Sequence, residues 1–190
     1  MRYPLFLDLA GQKVIVIGAG RVAERKIRLL LAAKAHITVV APRATTSIRK
    51  LSSNKRVRCL RRTYRVGDLR TARLVVAATN DEKLNERVCR DAKRRRLPVN
   101  CAAPPEAGNF IVPSVVRRGN LTIAISTGGS SPALAKRIRR ELEQYLHAGY
   151  AGVATKMATI RKTVSRTVKS AAKRRAVYRR TLSAWLKKAS

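Results

Sequence analysis

Acidic residues are scarce: the 190 residues hold 10 Asp and Glu against 43 Lys and Arg, for a net charge of +33. Aromatic residues make up only 4%, and no nucleic-acid readout motif accompanies them, which argues against the stacking platforms that specific nucleic-acid binders use. No apolar run approaches the roughly 18 residues a membrane span requires. The start, Met1–Gly20, is broken by Asp8 and Lys13 and lacks a small-residue cleavage site, so no secretory signal is expected. Cysteines number three, Cys59, Cys89 and Cys101, without CxxC spacing. That excludes a disulfide framework or a zinc set and points to a reducing cytoplasm. With two histidines, His36 and His147, no transition-metal site can be assembled from spacing. Neither an internal repeat nor a low-complexity segment is present.

What is present is a real core and an uneven charge. Apolar residues make up 45%, enough to argue against wholesale disorder. All ten acids precede residue 144, while residues 151–190 hold twelve Lys or Arg and none. The excess calls for an anionic partner or a large solvated basic surface. A composition shift marks a boundary near Ala148–Gly152, where Gly149 and Gly152 can end one helix and admit the next.

Before that boundary, short β-branched runs alternate with helical stretches. Strands are expected over Lys13–Ile17, His36–Pro42, Arg73–Thr79, Leu97–Asn100 and Leu121–Ser126. Helices are expected over Arg21–Ala33, with Val22, Ile27, Leu30 and Leu31 on its apolar face, over Leu84–Arg96, and from Pro132 to about Leu146. This alternation predicts an α/β fold, a mostly parallel Rossmann-type sheet with helices on both faces. The last 40 residues read as helix, with Val153, Met157, Ile160, Val164, Val168 and Ala171 in one stripe and Tyr178, Leu182, Trp185 and Leu186 extending the pattern in a second segment. Such a stripe suits a partner subunit, an acidic membrane or nucleic acid; its regularity favours packing.

Two glycine-rich turns carry the chemistry. Gly18-Ala19-Gly20-Arg21-Val22-Ala23 fits G-x-G-x-x-G/A between a strand and a helix. Gly18 permits the tight turn, Gly20 lets the backbone approach a pyrophosphate, Ala23 allows close helix–sheet packing, and the helix N-terminus offers free N–H groups. The acid that usually holds the ribose, about 20 residues on, is missing: the segment reads Val39-Val40-Ala41-Pro42-Arg43. Arg43 suits a 2′-phosphate and hence NADP, and backbone around Pro42 can equally hold NAD. The second turn, Thr127–Pro132, sets hydroxyls and free N–H groups ahead of Lys136, Arg137, Arg139 and Arg140, a composition suited to carboxylates or phosphates.

From Tyr3 to Glu143, the blocks YPLFLDL, KVIVIGAGRVAERK, VVAATND and NFIVPSVVRRGNLTIAISTGGSSPALAKRIRRELE resemble, in order and spacing, the precorrin-2 dehydrogenase domain of siroheme synthases. The resemblance implies NAD-dependent oxidation of precorrin-2 to sirohydrochlorin, with iron insertion in some members, and a homodimer. It divides the chain into an NAD-binding domain (1–112), a dimerisation and substrate segment (113–148) and a basic helical region (149–190). From the composition, neither a membrane nor a specific nucleic acid is expected as a partner.

Carried over by position, Gly18, Ala19, Gly20, Arg21 and Val22 line the pyrophosphate, Pro42 and Arg43 flank the adenosine ribose, and Ala78 and Thr79 end a strand beside the nicotinamide. Asn100, Asn109, Gly128, Ser130 and Arg137 fall on the substrate side. The family's usual aspartate is absent: in Asn100-Cys101-Ala102-Ala103-Pro104-Pro105, Ala103 takes its position. A carboxylate there could accept a proton during dehydrogenation or chelation; a methyl can do neither. Glu106 and Thr127 are the remaining candidates for catalysis, no metal-binding residue is expected, and iron insertion is the less secure activity. The alternative is a non-catalytic module that binds NAD or a tetrapyrrole.

Overall fold

The computed structural model describes residues 2–146 and 149–189, the side chains of 186–189 excepted. These fall into two compact units, one over Arg2–Val112 and the other from Pro113 onward.

The first unit is a five-stranded parallel sheet. Its strands are β1 (Lys13–Ile17), β2 (His36–Val40), β3 (Arg58–Leu60), β4 (Leu74–Ala77) and β5 (Val99–Cys101), in the order β3-β2-β1-β4-β5. Helices α1 (Arg21–Ala32), α2 (Thr46–Ser53) and α3 (Glu82–Arg94) complete it. Strands alternate their side chains between faces, and both faces are covered. Val14 and Val16 join Ala23, Ile27, Leu30 and Ile48 in one buried cluster. Ile15 and Ile17 join Val88, Cys89 and Ala92 of α3 in the other. A strand covered on both sides has no polar face to keep, which is why β1 reads as an unbroken apolar run.

The chain reverses its direction of travel across the sheet between β1 and β4. This switch point opens a crevice at the carboxyl ends of those strands, where ligands bind in open α/β sheets.

Several elements differ from their expected limits. β2 ends at Val40 and β4 at Ala77, so Ala78 and Thr79 lie just past the strand rather than ending it. β5 takes in Cys101. On α1 the buried residues are Ala23, Ile27 and Leu30, whereas Val22 is 45% exposed: steps of four and three set the buried face, and Val22 lies one residue off it. Helix α2 and strand β3 carry no marked apolar pattern and were not expected.

The second unit holds an antiparallel hairpin of β6 (Ser114–Arg118) and β7 (Leu121–Ile125), helix α4 (Pro132–Tyr145), and helices α5 (Gly149–Thr167) and α6 (Ala171–Ala189). β6 was not among the expected strands. Gly119, at φ +56°, opens the two-residue hairpin turn. Arg118 then clasps the end of α4: its Nε donates to the Leu146 carbonyl and a terminal nitrogen to that of Glu143, both at 2.7 Å. Carbonyls in a last helical turn have no partner within the helix. Replacing Arg118 with methionine is therefore expected to cost about 1–3 kcal/mol, measured as a lower urea midpoint with faster amide exchange in α4.

The basic tail is two helices, in keeping with the two segments of its apolar pattern. Gly149 starts α5 and Gly152 lies within it, so neither ends a helix. α5 ends at Thr167, which removes Val168 and Ala171 from its stripe. The break has a local cause: Ser170 Oγ accepts from Lys173 N, while the Arg174 guanidinium donates to the carbonyls of Val168 and Lys169. Val153 and Val164 are buried, whereas Leu182 on α6 is exposed. Along α5, Thr155, Thr159, Thr163 and Thr167 each return their hydroxyl to the carbonyl four residues earlier, at 3.0–3.5 Å. His147 lies outside the described residues.

Candidate dinucleotide site

At the switch point lies a cavity of about 640 Å³, lined in part by Gly18, Gly20, Pro42, Arg43, Ala78 and Thr79. That volume suits a cofactor-sized ligand. Six cofactor positions named from sequence thus converge on one space, and Ala19 lines it too. Arg21 and Val22, at the start of α1, are exposed just beyond the glycine turn.

The two glycines do different work. Gly18 has φ +103°, and a Cβ built there would stand 2.3 Å from the Ala78 carbonyl oxygen. This residue lets the β1 turn lie against the strand beside it. Gly20 has ordinary backbone angles and open space where its Cβ would be. No side chain caps α1 at Gly20, so the first N–H groups of the helix have no partner within it and face an approach free of side chains. Ala23 is fully buried, as close helix–sheet packing demands. A pyrophosphate fits this cradle.

The one acid of the first turn of α1, Glu24, is occupied. Its carboxylate accepts from Arg28 at 2.5 Å and from the Thr45 hydroxyl at 3.2 Å. The Thr45 amide donates to the Ala19 carbonyl, so the loop after β2 is fastened to the glycine turn.

The far wall carries residues that sequence inspection missed. Thr63 and Tyr64 line the cavity, and charged pairs behind them fix their position. The Arg62 guanidinium holds Asp68 through two bonds, at 2.5 and 3.0 Å, and donates to the Thr63 carbonyl. That guanidinium keeps the Asp68 carboxyl below its ordinary pKa. Tyr64 donates its hydroxyl to Asp91, with Arg87 above its ring, and burial pushes the phenol well up. Nothing short-range in the sequence announces these pairings.

Asn85 is a second missed residue. It is fully buried on α3. Its Oδ1 accepts from both the amide and the hydroxyl of Thr79, and its Nδ2 donates to the carbonyls of Thr79 and Ala103. One side chain therefore joins the cofactor wall to the position where the family's aspartate is expected.

Other named residues serve the fold directly. Asn100 Oδ1 accepts from Lys26 and its Nδ2 donates to the Phe110 carbonyl. Asn109 is bonded at both ends, to Val99 N and the Leu97 carbonyl. Burial lowers the Lys26 pKa, and the neighbouring Arg25 adds to the shift. The Cys89 thiol is pushed up to about 12 by burial and by Cys101, which leaves it un-ionised at neutral pH and chemically quiet. His36 is an exposed residue at the start of β2. Glu106 is exposed, on a short 3-10 turn over Pro105–Ala107.

Thr127, Gly128, Ser130 and Arg137 belong to the second unit. Thr127 Oγ1 accepts from Ser131 N, and Ser131 caps α4 through Leu134 N. Gly128 has φ +69° and Ser130 is exposed. Arg137 is paired with Glu141 at 2.9 Å and Arg139 with Glu143 at 2.7 Å. The exposed cations Lys136 and Arg140 have no such carboxylate partner among the described residues.

Residues 5–114 match a family described as putative NAD(P)-binding, and residues 118–145 match the sirohaem biosynthesis protein central family. The solved structure of SirC, precorrin-2 dehydrogenase, superimposes with a TM-score of 0.82 at 30% identity, covering 99% of this chain and 98% of its own. Siroheme synthases from Pseudomonas fluorescens (strain SBW25) and Methylobacillus flagellatus are 40% and 37% identical over 92% and 90% of this chain. The chain spans 38% and 37% of the length of those two relatives. Among the described residues no helix is long and apolar enough to cross a membrane.

Proposed function

The chain belongs to the precorrin-2 dehydrogenase family, and from that premise we propose that it oxidises precorrin-2 to sirohydrochlorin with NAD as the oxidant. The observation that carries this is the cavity at the switch point, with Gly20 open to a pyrophosphate and Ala78 and Thr79 on its wall. Bound NAD supplies the hydride acceptor.

The chain's own residues do the rest. The α1 N-terminus and Gly20 hold the pyrophosphate, and Asn85 keeps Thr79 and Ala103 in register at the reacting end. Loss of a hydride and a proton from the substrate requires a proton acceptor. Ala103 offers none. Glu106, three residues on and exposed, takes that proton. In the second unit, taken by itself, the Thr127–Pro132 turn and the exposed Lys136 and Arg140 are suited to carboxylates through charge-assisted hydrogen bonds. The chain works as a homodimer, with the segment 113–148 forming the subunit contact and the basic helices following it.

Anaerobic incubation with precorrin-2 and NAD, followed at the NADH absorbance band, tests this. Turnover is expected, and Glu106→Gln should reduce it by about a hundredfold. Adding Ala103→Asp to that variant should restore it. Cofactor binding without turnover in the wild type would reject the dehydrogenase assignment and favour a non-catalytic binding module, the reading that Ala103 itself recommends.

A further inference from the structure

Helices α5 and α6 hold a second cavity between them, of about 550 Å³, lined by Ala158, Arg161, Lys162 and Ser165 of α5 and by Arg174 and Tyr178 of α6. Steps of three and four keep the four α5 residues on one face, and a step of four does the same for the two on α6. Three cations therefore converge on one space. No carboxylate competes for them, since residues 151–190 contain no acid.

The donors around this cavity are free to take a ligand. Arg161 and Lys162 are exposed and make no side-chain hydrogen bond or ion pair among the described residues. Arg174 is half-buried, and one terminal nitrogen donates to the carbonyls of Val168 at 3.0 Å and Lys169 at 2.8 Å. Those bonds anchor the guanidinium plane, while Nε and the other terminal nitrogen keep their protons for another partner. Tyr178, one turn further along α6, is half-buried and its hydroxyl has no partner among the described residues. Ser165 adds no donor, because its hydroxyl is given to the Lys162 carbonyl at 2.9 Å.

This donor set selects among anions. A carboxylate brings one charge and two oxygens in one plane, too little for three cations and a phenol. A phosphoryl group brings up to two charges and three strong acceptor oxygens pointing in different directions. The cavity is also large enough for several such groups in a chain. We propose that the α5–α6 cavity binds a compact polyphosphate, free or as the phosphate chain of a nucleotide, at a site in the second unit that the dehydrogenation does not use. Arg174 is its fixed anchor, Arg161 and Lys162 close on the anion from α5, and Tyr178 donates a further hydrogen bond. A guanidinium bonded to a phosphate is among the stronger pairings available at a protein surface.

Calorimetric titration of the full chain with tripolyphosphate tests this, at physiological ionic strength to screen diffuse attraction and with excess NAD to fill the glycine cradle. Saturable binding of one tripolyphosphate per chain is expected, at least about tenfold tighter than that of the tricarboxylate tricarballylate. Arg161→Gln with Lys162→Gln should weaken it by at least about tenfold, the equivalent of one charge-assisted hydrogen bond. Arg175→Gln with Arg180→Gln removes the same charge from exposed positions outside the cavity and should leave the affinity within about twofold. Tyr178→Phe, which keeps the ring, should weaken binding by about fivefold, as loss of one neutral hydrogen bond does. ATP binding more tightly than tripolyphosphate identifies a nucleotide as the occupant, and equal or weaker binding identifies the free anion. Absence of saturable binding overturns the proposal, as does equal affinity for tricarballylate. An equal loss in both double variants, for tripolyphosphate or for a single-stranded oligonucleotide, shows a diffuse basic surface rather than a site and overturns it too.

Discussion

Replacing Gly18 with alanine is expected to destabilise the first unit by about 3 kcal/mol or more and to abolish cofactor binding, because strain and overpacking act together. The methyl would enter at φ +103°, where L side chains are disfavoured, and would stand 2.3 Å from the Ala78 carbonyl oxygen and 2.8 Å from the Thr79 amide nitrogen. Both obstacles are backbone, so no rotamer change relieves them. Gly20→Ala is the informative contrast. Its methyl meets nothing within 4 Å and its φ of −83° is ordinary. Its stability should stay within about 1 kcal/mol of the wild type, while affinity for NAD falls because the methyl occupies the line of approach to the pyrophosphate. Urea denaturation with parallel NAD titration separates the two. Equal melting of Gly18→Ala and the wild type would show that the β1 turn does not need this glycine.

Asn85→Leu is the other large effect. The side chain is nearly isosteric, so volume is kept while four hydrogen bonds are lost. The Thr79 amide and carbonyl and the Ala103 carbonyl would then be left without that partner. Each unsatisfied buried group costs about 1–3 kcal/mol, so a total loss of at least about 3 kcal/mol is expected. The amide of Thr79 should exchange faster, and turnover should fall more than NAD affinity, since the pyrophosphate cradle is built by other residues. Unchanged exchange at Thr79 would show that the loop is held by its own backbone.

How much of this was legible beforehand depends on the range of the interaction. β1, α1 and the glycine turn are local: an apolar run, a GxGxxA spacing and a following 3.6-residue period lie within about 20 residues. The cavity walls contributed by Pro42, Arg43, Ala78 and Thr79 follow from that fold, since they come just after strands that flank β1. Other parts depend on pairings across the fold. Tyr64 finds Asp91 at a separation of 27 residues, and Asn85 finds Ala103 at 18. Neither partner carries a local signature. β3 escaped because three residues, Arg-Cys-Leu, cannot display a period. The break between the two tail segments falls earlier than the apolar period places it, before Val168, because Ser170 and Arg174 act through polar contacts that such a period does not register. The motif that holds Asn100 does not reveal that both ends of its amide are bonded within the unit, to Lys26 and to the Phe110 carbonyl.

The threonine ladder of α5 changes what that helix offers to its surroundings. Thr155, Thr159, Thr163 and Thr167 count as polar in any hydropathy sum, and all four are exposed. Their hydroxyl protons are already committed to the backbone of their own helix, as serine and threonine can do within helices. These four exposed side chains therefore have no hydroxyl proton left to give to a partner. Beside twelve cations and no acid in residues 151–190, this strip is electrically silent: it neither adds to the positive field nor screens it. A helix that already buries Val153 and Val164 thus carries a further strip that composition counts as polar but that has no proton left to donate.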